Sequence, residues 1–345
     1  MTDTATDTVT CTVTCTGVVA VTHDVTSFTF DPGPALHFLP GQYLTLGFRI
    51  DGEPVERCYT ISSPPTRPDR VTVTVKRVPG GVVSPWLHDH LRVGDRVVAS
   101  GPFGRFSTAV HPADRYLFLT AGSGITPAMS MVRALCDAGS AAGVRFVHCA
   151  RTPDDLIFRD ELEALATRCG VLVTLLCETD SPAEVWHGHR GRLDLPTLLR
   201  VAPDLLGREV FTCGPAPFMA AVRGMLGDVG VDPTRSHEES FVLGPPAARS
   251  DPGEAGSGTT YRVDFRRSGR VVECESDTTI LQAAARAGVP LLSSCEEGMC
   301  GTCKLALLGG RVDMRHAGGI RPREVARDEF LPCCSTPLDD VVVDA

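Results

Sequence analysis

The feature that most constrains this chain is a run of thiols near its end. It reads Cys295-Glu296-Glu297-Gly298-Met299-Cys300-Gly301-Thr302-Cys303, and is answered much later by Leu331-Pro332-Cys333-Cys334. Four residues separate Cys295 from Cys300, two separate Cys300 from Cys303, and 29 separate Cys303 from Cys333. That spacing suits a 2Fe-2S cluster, which takes four thiolates, with Cys295, Cys300, Cys303 and Cys333 as the expected metal ligands. Gly298, Gly301 and Thr302 keep the loop small and leave backbone N–H groups to face the sulfurs. A zinc site is the alternative. Zinc sites usually pair two Cys-x-x-Cys units, and here a single unit is preceded by a third cysteine. A cluster of this kind passes electrons singly, so the remainder of the chain is expected to supply them.

Length and composition fit that task. With 345 residues, 43% hydrophobic and 22% charged, the chain can form two or three domains, each with its own core. No apolar run reaches membrane-spanning length, and the Thr-rich start, Met1 to Thr16, lacks the basic and apolar stretches of a signal peptide, so a cytoplasmic protein off the membrane is expected. Of the 14 cysteines, four are assigned to the cluster and ten are scattered, a pattern of reduced thiols. A net charge of -9 argues against nucleic acid as a partner. A monomer is expected.

From Val9 to Ser107 short alternating runs, such as Thr26-Phe28-Phe30 and Val71-Val73-Val75, are broken by Pro and Gly, which predicts an antiparallel β-barrel. Two stretches within it look chemical. In Arg57-Cys58-Tyr59-Thr60, strand alternation puts Arg57 and Tyr59 on one face, where a guanidinium can hold phosphate and a ring can lie on a flat cofactor. An exposed sheet face is the plain alternative. Pro79-Gly80-Gly81-Val82-Val83-Ser84-Pro85 reads as a turn opening a helix, with Ser84 at the N-cap and Pro85 at the first helical position. Its free N–H groups would form an anion site. With Pro40-Gly41-Gln42-Tyr43 upstream and Gly101-Pro102-Phe103-Gly104 downstream, these segments resemble the flavin domain of the ferredoxin-NADP reductase superfamily. The resemblance implies that Arg57 binds flavin phosphate, Tyr59 packs on the isoalloxazine, Thr60 sits near its reactive nitrogen, and Gly81 to Ser84 cap the pyrophosphate. Cys58, Val75, Arg77, Gly80, Val82 and Val83 complete the implied flavin contacts. Pro64 and the residues after Ser63 would line an adenosine pocket, which favours FAD over FMN.

After residue 112 the period changes. Tyr116 to Ala121, Val144 to Ala150 and Val171 to Cys177 read as strands, with helices at Thr126 to Asp137 and Pro153 to Thr167, so a parallel sheet covered by helices is expected over 113–243. Gly122-Ser123-Gly124-Ile125-Thr126-Pro127 stands at the first strand-to-helix turn, where glycines let a pyrophosphate approach the backbone, although Pro127 replaces the third glycine of the usual fingerprint. Paired with Cys213-Gly214-Pro215-Ala216-Pro217-Phe218-Met219, it is similar to the nicotinamide domain of the same superfamily. The resemblance places Cys213, Gly214 and Pro215 beside the nicotinamide and makes Phe241 the aromatic that shields the flavin. A buried strand cysteine and a core phenylalanine are the plain alternatives. Arg151 could pair with a 2'-phosphate, whereas Asp154 and Asp155 would repel one, which favours NADH over NADPH.

Residues 244–259, rich in Pro, Ala, Gly and Ser, read as a flexible tether. A hairpin at Tyr261 to Cys274, turning at Ser268-Gly269, and a helix at Thr279 to Ala287 then lead to the thiol loop. This layout, with its Leu331-Cys333-Pro337 frame, resembles a plant-type ferredoxin domain over 260–345, an α+β β-grasp. That frame selects Cys333 over Cys334 as the fourth ligand. Glu296 and Glu297 are either solvated or dock a basic partner. The whole resembles the reductase components of multicomponent oxygenases. It implies an oxidoreductase carrying electrons from NAD(P)H through FAD and the cluster, one at a time, to a Rieske-type non-haem iron oxygenase or similar hydroxylase. A hybrid-cluster protein or desaturase as acceptor, and a redox sensor without turnover, are the other readings.

Overall fold

The computed structural model describes residues 9–33, 36–241, 259–289, 291, 298, 301, 303–316, 319–320 and 322–345, which form two compact bodies meeting in sequence at Glu239 and Ser240. In the first body, β1 (Val9–Thr22), β2 (Val25–Asp31), β3 (Tyr43–Ile50), β4 (Glu53–Thr60), β5 (Val71–Lys76), helix α1 (Val83–His90) and β6 (Arg96–Phe103) build an antiparallel sheet in the order β4-β3-β6-β1-β2-β5. The two ends of that sheet meet where Ile61, just past β4, bridges Val73 of β5, which closes the expected barrel. Alternation drives the closure. Phe28, Phe30, Leu44, Leu46, Val71 and Val73 all turn inward and are buried, each contributing about 1.5–3 kcal/mol.

The same body continues with β7 (Tyr116–Ala121), α2 (Ile125–Asp137), β8 (Val144–Ala150), α3 (Arg159–Cys169), β9 (Leu172–Cys177), β10 (His189–Arg190), α4 (Leu195–Val201), β11 (Glu209–Cys213), α5 (Ala216–Val229) and β12 (Ser236–Glu239). Their strands lie parallel in the order β10-β9-β8-β7-β11-β12. The chain winds outward from β7 in one direction, then returns to start β11 on its other side. Sheets that reverse in this way bind ligands at the carboxyl ends of the strands flanking the reversal. Here those are β7 and β11.

Two expected helices differ. The helix expected to begin after a Ser84 N-cap starts at Val83, with Val82 as its N-cap, because the Ser84 hydroxyl is taken by the amide of Val78 at 3.0 Å. The helix expected over Pro153 to Thr167 divides into a 3-10 turn at Pro153–Asp155 and α3. A capping box between Thr152 and Asp155 closes that turn, and the chain then extends to bury Leu156 and Ile157 before α3 begins.

The second body holds β13 (Thr260–Phe265), β14 (Arg270–Glu275), α6 (Ile280–Arg286), β15 (Leu305–Gly309), β16 (Val312–Met314), α7 (Pro322–Val325), β17 (Glu329–Phe330), β18 (Ser335–Pro337) and β19 (Val341–Val343). One sheet runs β14-β13-β19-β15-β17, with β13 and β19 parallel, and β16 pairs with β18. Helix α6, capped by Thr279 and Gln282, packs Ile280, Ala283 and Ala284 against Val263, Phe265 and Phe330, as a β-grasp requires. Residues 244–258 of the expected tether lie outside the described residues.

Candidate functional site

The end of β4 carries the first group of expected contacts. Register with β3 pairs Arg57 with Leu46, Tyr59 with Leu44 and Thr60 with Tyr43. Thr60 is buried, and Tyr59 is half-buried with its ring packed on the barrel core. Burial pushes the Tyr59 hydroxyl above its ordinary range, against the nearby Arg57 guanidinium, which pulls it down. Cys58 lies 3.5 Å from the Thr45 hydroxyl. Arg57 donates to the Glu56 carbonyl at 2.7 Å and has no carboxylate partner among the described residues. Its charge stands ready for an anion.

The loop expected to hold phosphate is built by a turn. Gly81 N–H donates to the Val78 carbonyl at 3.0 Å, with Pro79 and Gly80 at the two central positions. Gly80 has φ +74°, which a type II turn demands at its third residue. The Val78 amide then closes on Ser84, and a Cβ at Gly81 would stand 3.1 Å from the Val78 carbonyl. Val82 is exposed at the rim, and Val83 is buried. Arg77 makes a bidentate pair with Asp89 of α1, at 2.9 and 2.6 Å, so its guanidinium braces the helix behind the loop. Val75 accepts from His88 at 3.0 Å and braces it from below. Beyond Ser63, a cavity of about 390 Å³ lined by Ser62, Ser63, Pro64, Arg133 and Phe158 occupies the place expected for adenosine.

At the carboxyl ends of β7 and β11 the two expected turns come together. Cys213 pairs with Thr120 of β7 on one side and Glu239 of β12 on the other. Thr126 caps back on the Ser123 carbonyl at 3.1 Å, and Pro127 sits buried in the first turn of α2, where no amide is needed. Gly214 packs under Phe218, and Pro215 is the exposed N-cap of α5. A Cβ on Gly124 would lie 2.3 Å from the Cys213 carbonyl oxygen and 2.6 Å from the Gly214 amide. Gly124→Ala therefore forces the two turns apart. It should cost about 1–3 kcal/mol and raise the KM for NADH, measured by thermal unfolding and steady-state kinetics; an unchanged KM would separate this turn from nucleotide binding.

Three buried side-chain atoms have no hydrogen-bond partner among the described residues: His148 Nε2, Thr212 Oγ1 and Glu239 Oε2. Each lies within the last three residues of its strand, on the edge where the sheet reverses. His148 and Glu239 share the face of Cys213 and Thr120, where unpaired polar atoms fit a site shaped for a polar ligand, whereas Thr212 points to the other face of the sheet. Burial lowers His148 to about 3 and holds it neutral, and keeps Cys213 well above the ordinary thiol range. Glu239 is pushed up to about 8 by burial, whereas its neighbour Glu238 is paired with Arg223 at 2.6 Å. The native chain thus keeps a proton on Glu239 that the unfolded chain releases above about 4.5. Stability from this group is whole below pH 4.5 and is lost as the pH rises towards 8. Glu239→Gln should flatten the fall in thermal midpoint between pH 5 and 8, and a slope equal to that of the parent protein would contradict a buried neutral acid.

In the second body Cys303 and Cys333 are 4% and 7% exposed, with their sulfurs 3.2 Å apart, too far for a disulfide. They share an apolar pocket with Ile320 and Leu331. Cys334 is half-buried against the same group, with its sulfur 3.6 Å from the Leu331 carbonyl and against Gly298. Cys295 and Cys300 lie outside the described residues, as do Glu296, Glu297 and Thr302. Two close, buried thiols in an apolar wall fit two of the four ligand positions of a 2Fe-2S cluster.

Comparison with known proteins agrees with this geometry. Family models match over most of the chain: an oxidoreductase FAD-binding domain at residues 12–108, an oxidoreductase NAD-binding domain at 118–224, and a 2Fe-2S iron-sulfur cluster binding domain at 263–338. The glycine betaine monooxygenase reductase subunit of Pseudomonas aeruginosa is 43% identical over 340 residues, covering 95% of this chain and 93% of its own. The chain belongs to the flavin iron-sulfur reductases of the ferredoxin-NADP reductase superfamily. The stachydrine N-demethylase reductase subunit of Rhizobium meliloti matches the reductase at 42% identity, over 93% of each chain. Among solved structures, phthalate dioxygenase reductase superposes with a TM-score of 0.61 at 25% identity, over 97% of the reductase and 98% of that chain. The reductase is an NAD(P)H-dependent oxidoreductase with FAD, a nucleotide site and a 2Fe-2S cluster arranged in series. Its Arg151 is held by the buried Asp155 at 2.7 Å, and Phe241, two residues past β12, is 39% exposed. Sequence reasoning missed Glu239. The signal was present in its adjacency to Phe241, but only the β11–β12 register shows that it faces Cys213.

Proposed function

We propose that the reductase takes a hydride from NADH at the carboxyl ends of β7 and β11 and delivers single electrons to a terminal oxygenase that acts on an N-methylated substrate. The flavin, when bound, accepts the two electrons of the hydride and releases them one at a time. The residues of the chain orient and tune that exchange. Arg57 holds flavin phosphate, Tyr59 supports the ring, Thr60 stands beside it, and the Gly81–Ser84 loop holds the pyrophosphate. Cys213, with Gly214 and the neutral Glu239, positions the nicotinamide from a buried, uncharged wall, so no side chain need move a proton during hydride transfer. Cys295, Cys300, Cys303 and Cys333 hold the cluster. NADH is favoured because Asp155 neutralises Arg151, and Asp154 adds a further negative charge where a 2'-phosphate would lie. The reductase works as a monomer in the cytoplasm; no described helix is long and apolar enough to cross a membrane.

The observation that carries the acceptor is the near full-length likeness to two reductase subunits, one of a glycine betaine monooxygenase and one of a stachydrine N-demethylase. The test is reconstitution with a purified N-demethylating oxygenase and glycine betaine. Substrate-dependent oxygen uptake that requires both NADH and the reductase is expected. Reduction of cytochrome c without any oxygenase turnover would turn the assignment towards another acceptor, such as a hybrid-cluster protein or a desaturase.

A further inference from the structure

In the first body, the chain that leaves β4 after Thr60 runs on through Ser62 to Arg67, and the chain that leaves the Gly122–Gly124 turn winds directly into α2. These two continuations meet. Ser130, Arg133 and Asp137 lie three and four residues apart on α2, so they share one helix face. The Ser130 side chain, fully buried, donates to the Ser63 carbonyl at 2.7 Å. Arg133 donates from Nη1 to the Ser62 carbonyl at 2.5 Å. Asp137 accepts from Arg67 at 2.6 and 3.1 Å and also from the Thr66 hydroxyl. Two turns of α2 are thus laced to the segment that follows β4.

Arg133 is the centre of this seam. Its Nε and Nη2 form a fork on Glu161 of α3 at 2.8 and 2.6 Å, and its guanidinium lies over the Phe158 ring, 4.7 Å from the centroid. All three nitrogens are engaged, on a side chain only 13% exposed, so the guanidinium is held in one place. From the other side the Ser62 amide donates to the Thr72 carbonyl at 2.8 Å, and the Thr72 amide donates to the Ser63 hydroxyl at 3.0 Å. Ser62 and Ser63 are therefore pinned between β5 and α2. A largely buried ion pair adds little net stability over apolar side chains of the same volume. What the fork and the carbonyl contact impose is a single geometry between barrel and helix.

We propose that Arg133 is a positioning residue for hydride transfer, which through the Ser62 carbonyl sets the Gly122–Gly124 turn at a fixed distance from Tyr59 and Thr60. The inference rests on the nucleotide and flavin sites proposed above. Only Ile61 separates Thr60 from Ser62, and α2 joins Arg133 rigidly to Gly124, so a shift at the seam reaches both cofactors. Hydride transfer needs reacting atoms about 3–3.5 Å apart, and a misplacement of about 1 Å costs about 100-fold. With every nitrogen engaged in the seam, Arg133 acts through these contacts rather than on the reacting atoms. Its effect falls on the limiting rate of flavin reduction, and not on how tightly NADH is held.

The test is anaerobic stopped-flow reduction by NADH of the full chain, saturated with flavin and loaded with its cluster, in the parent and in Arg133→Met. The limiting rate at saturating NADH should fall about 10–100-fold in the variant, while the NADH concentration giving half that rate stays the same. Flavin retention is measured alongside, because Arg133 borders the cavity beyond Ser63. The long-wavelength charge-transfer absorbance of nicotinamide stacked on flavin should weaken. Before any nucleotide is added, amide hydrogen exchange at residues 62–67 and along α2 should already be faster than in the parent. Arg133→Lys keeps one donor for Ser62 but loses the fork, and should recover part of the rate. Ser130→Ala combined with Asp137→Asn leaves Arg133 in place and should slow reduction about 3–10-fold, which carries the test should Arg133→Met fail to fold. A limiting rate equal to that of the parent, or a loss seen only as weaker NADH or flavin binding, would overturn the positioning role. A parent protein whose flavin NADH does not reduce would overturn the nucleotide site itself, and the role of the seam with it.

Discussion

Cys333→Ser is expected to abolish NADH-driven reduction of cytochrome c while leaving ferricyanide reduction near the parent rate. Cys333 is buried beside Cys303, with its sulfur 3.2 Å away and Leu331 and Ile320 around it, so its replacement takes one thiolate out of that close pair. Changes in the surroundings of a metal ligand already cost about 10–100-fold, and loss of a ligand should cost at least that much. Ferricyanide can take electrons from the flavin directly, and the flavin lies upstream. Cys334→Ser is the control, since its thiol faces the Leu331 carbonyl at 3.6 Å instead of Cys303, and it should keep both activities. Equal loss of cytochrome c and ferricyanide reduction in Cys333→Ser would contradict the order of carriers.

Arg57→Ala should release flavin. The guanidinium sits on β4 without a carboxylate partner among the described residues, two residues along the same strand face from the half-buried Tyr59. A charge-assisted contact to phosphate is worth about 1.5–3 kcal/mol, so the dissociation constant should rise about 10–100-fold, read by fluorescence of the freed flavin. Arg57→Lys keeps the charge and loses the fork, and should fall between the two. Full flavin occupancy in Arg57→Ala under dilution would remove this residue from the phosphate site.

The parts of the fold that follow from local pattern were legible in the sequence. Alternation in β2 and β5 announced the barrel, and the two glycine turns at Gly122 and Gly214 marked the ends of β7 and β11, which the topology brings side by side. What was not legible depends on partners distant in sequence. Ser84 reads as an N-cap until the Val78 amide claims its hydroxyl. The run after Pro153 reads as one helix until burial of Leu156 and Ile157 interrupts it. Arg77 reads as a cofactor contact, yet its guanidinium is engaged by Asp89, twelve residues on. Glu239 was passed over for the same reason: its place beside Phe241 is in the sequence, but only strand register sets the acid beside Cys213. Spacing reveals a site confined to one loop, whereas one assembled across strands must be seen folded.

The most direct test of the relay is an anaerobic titration of the purified reductase with NADH and, separately, NADPH, followed by visible absorption and electron paramagnetic resonance. The account predicts that NADH bleaches the flavin and then produces the signal of a reduced 2Fe-2S cluster, at lower nucleotide concentration than NADPH requires. Bleaching of the flavin without a cluster signal, in protein whose iron content shows the cluster to be present, would contradict the series arrangement of flavin and cluster.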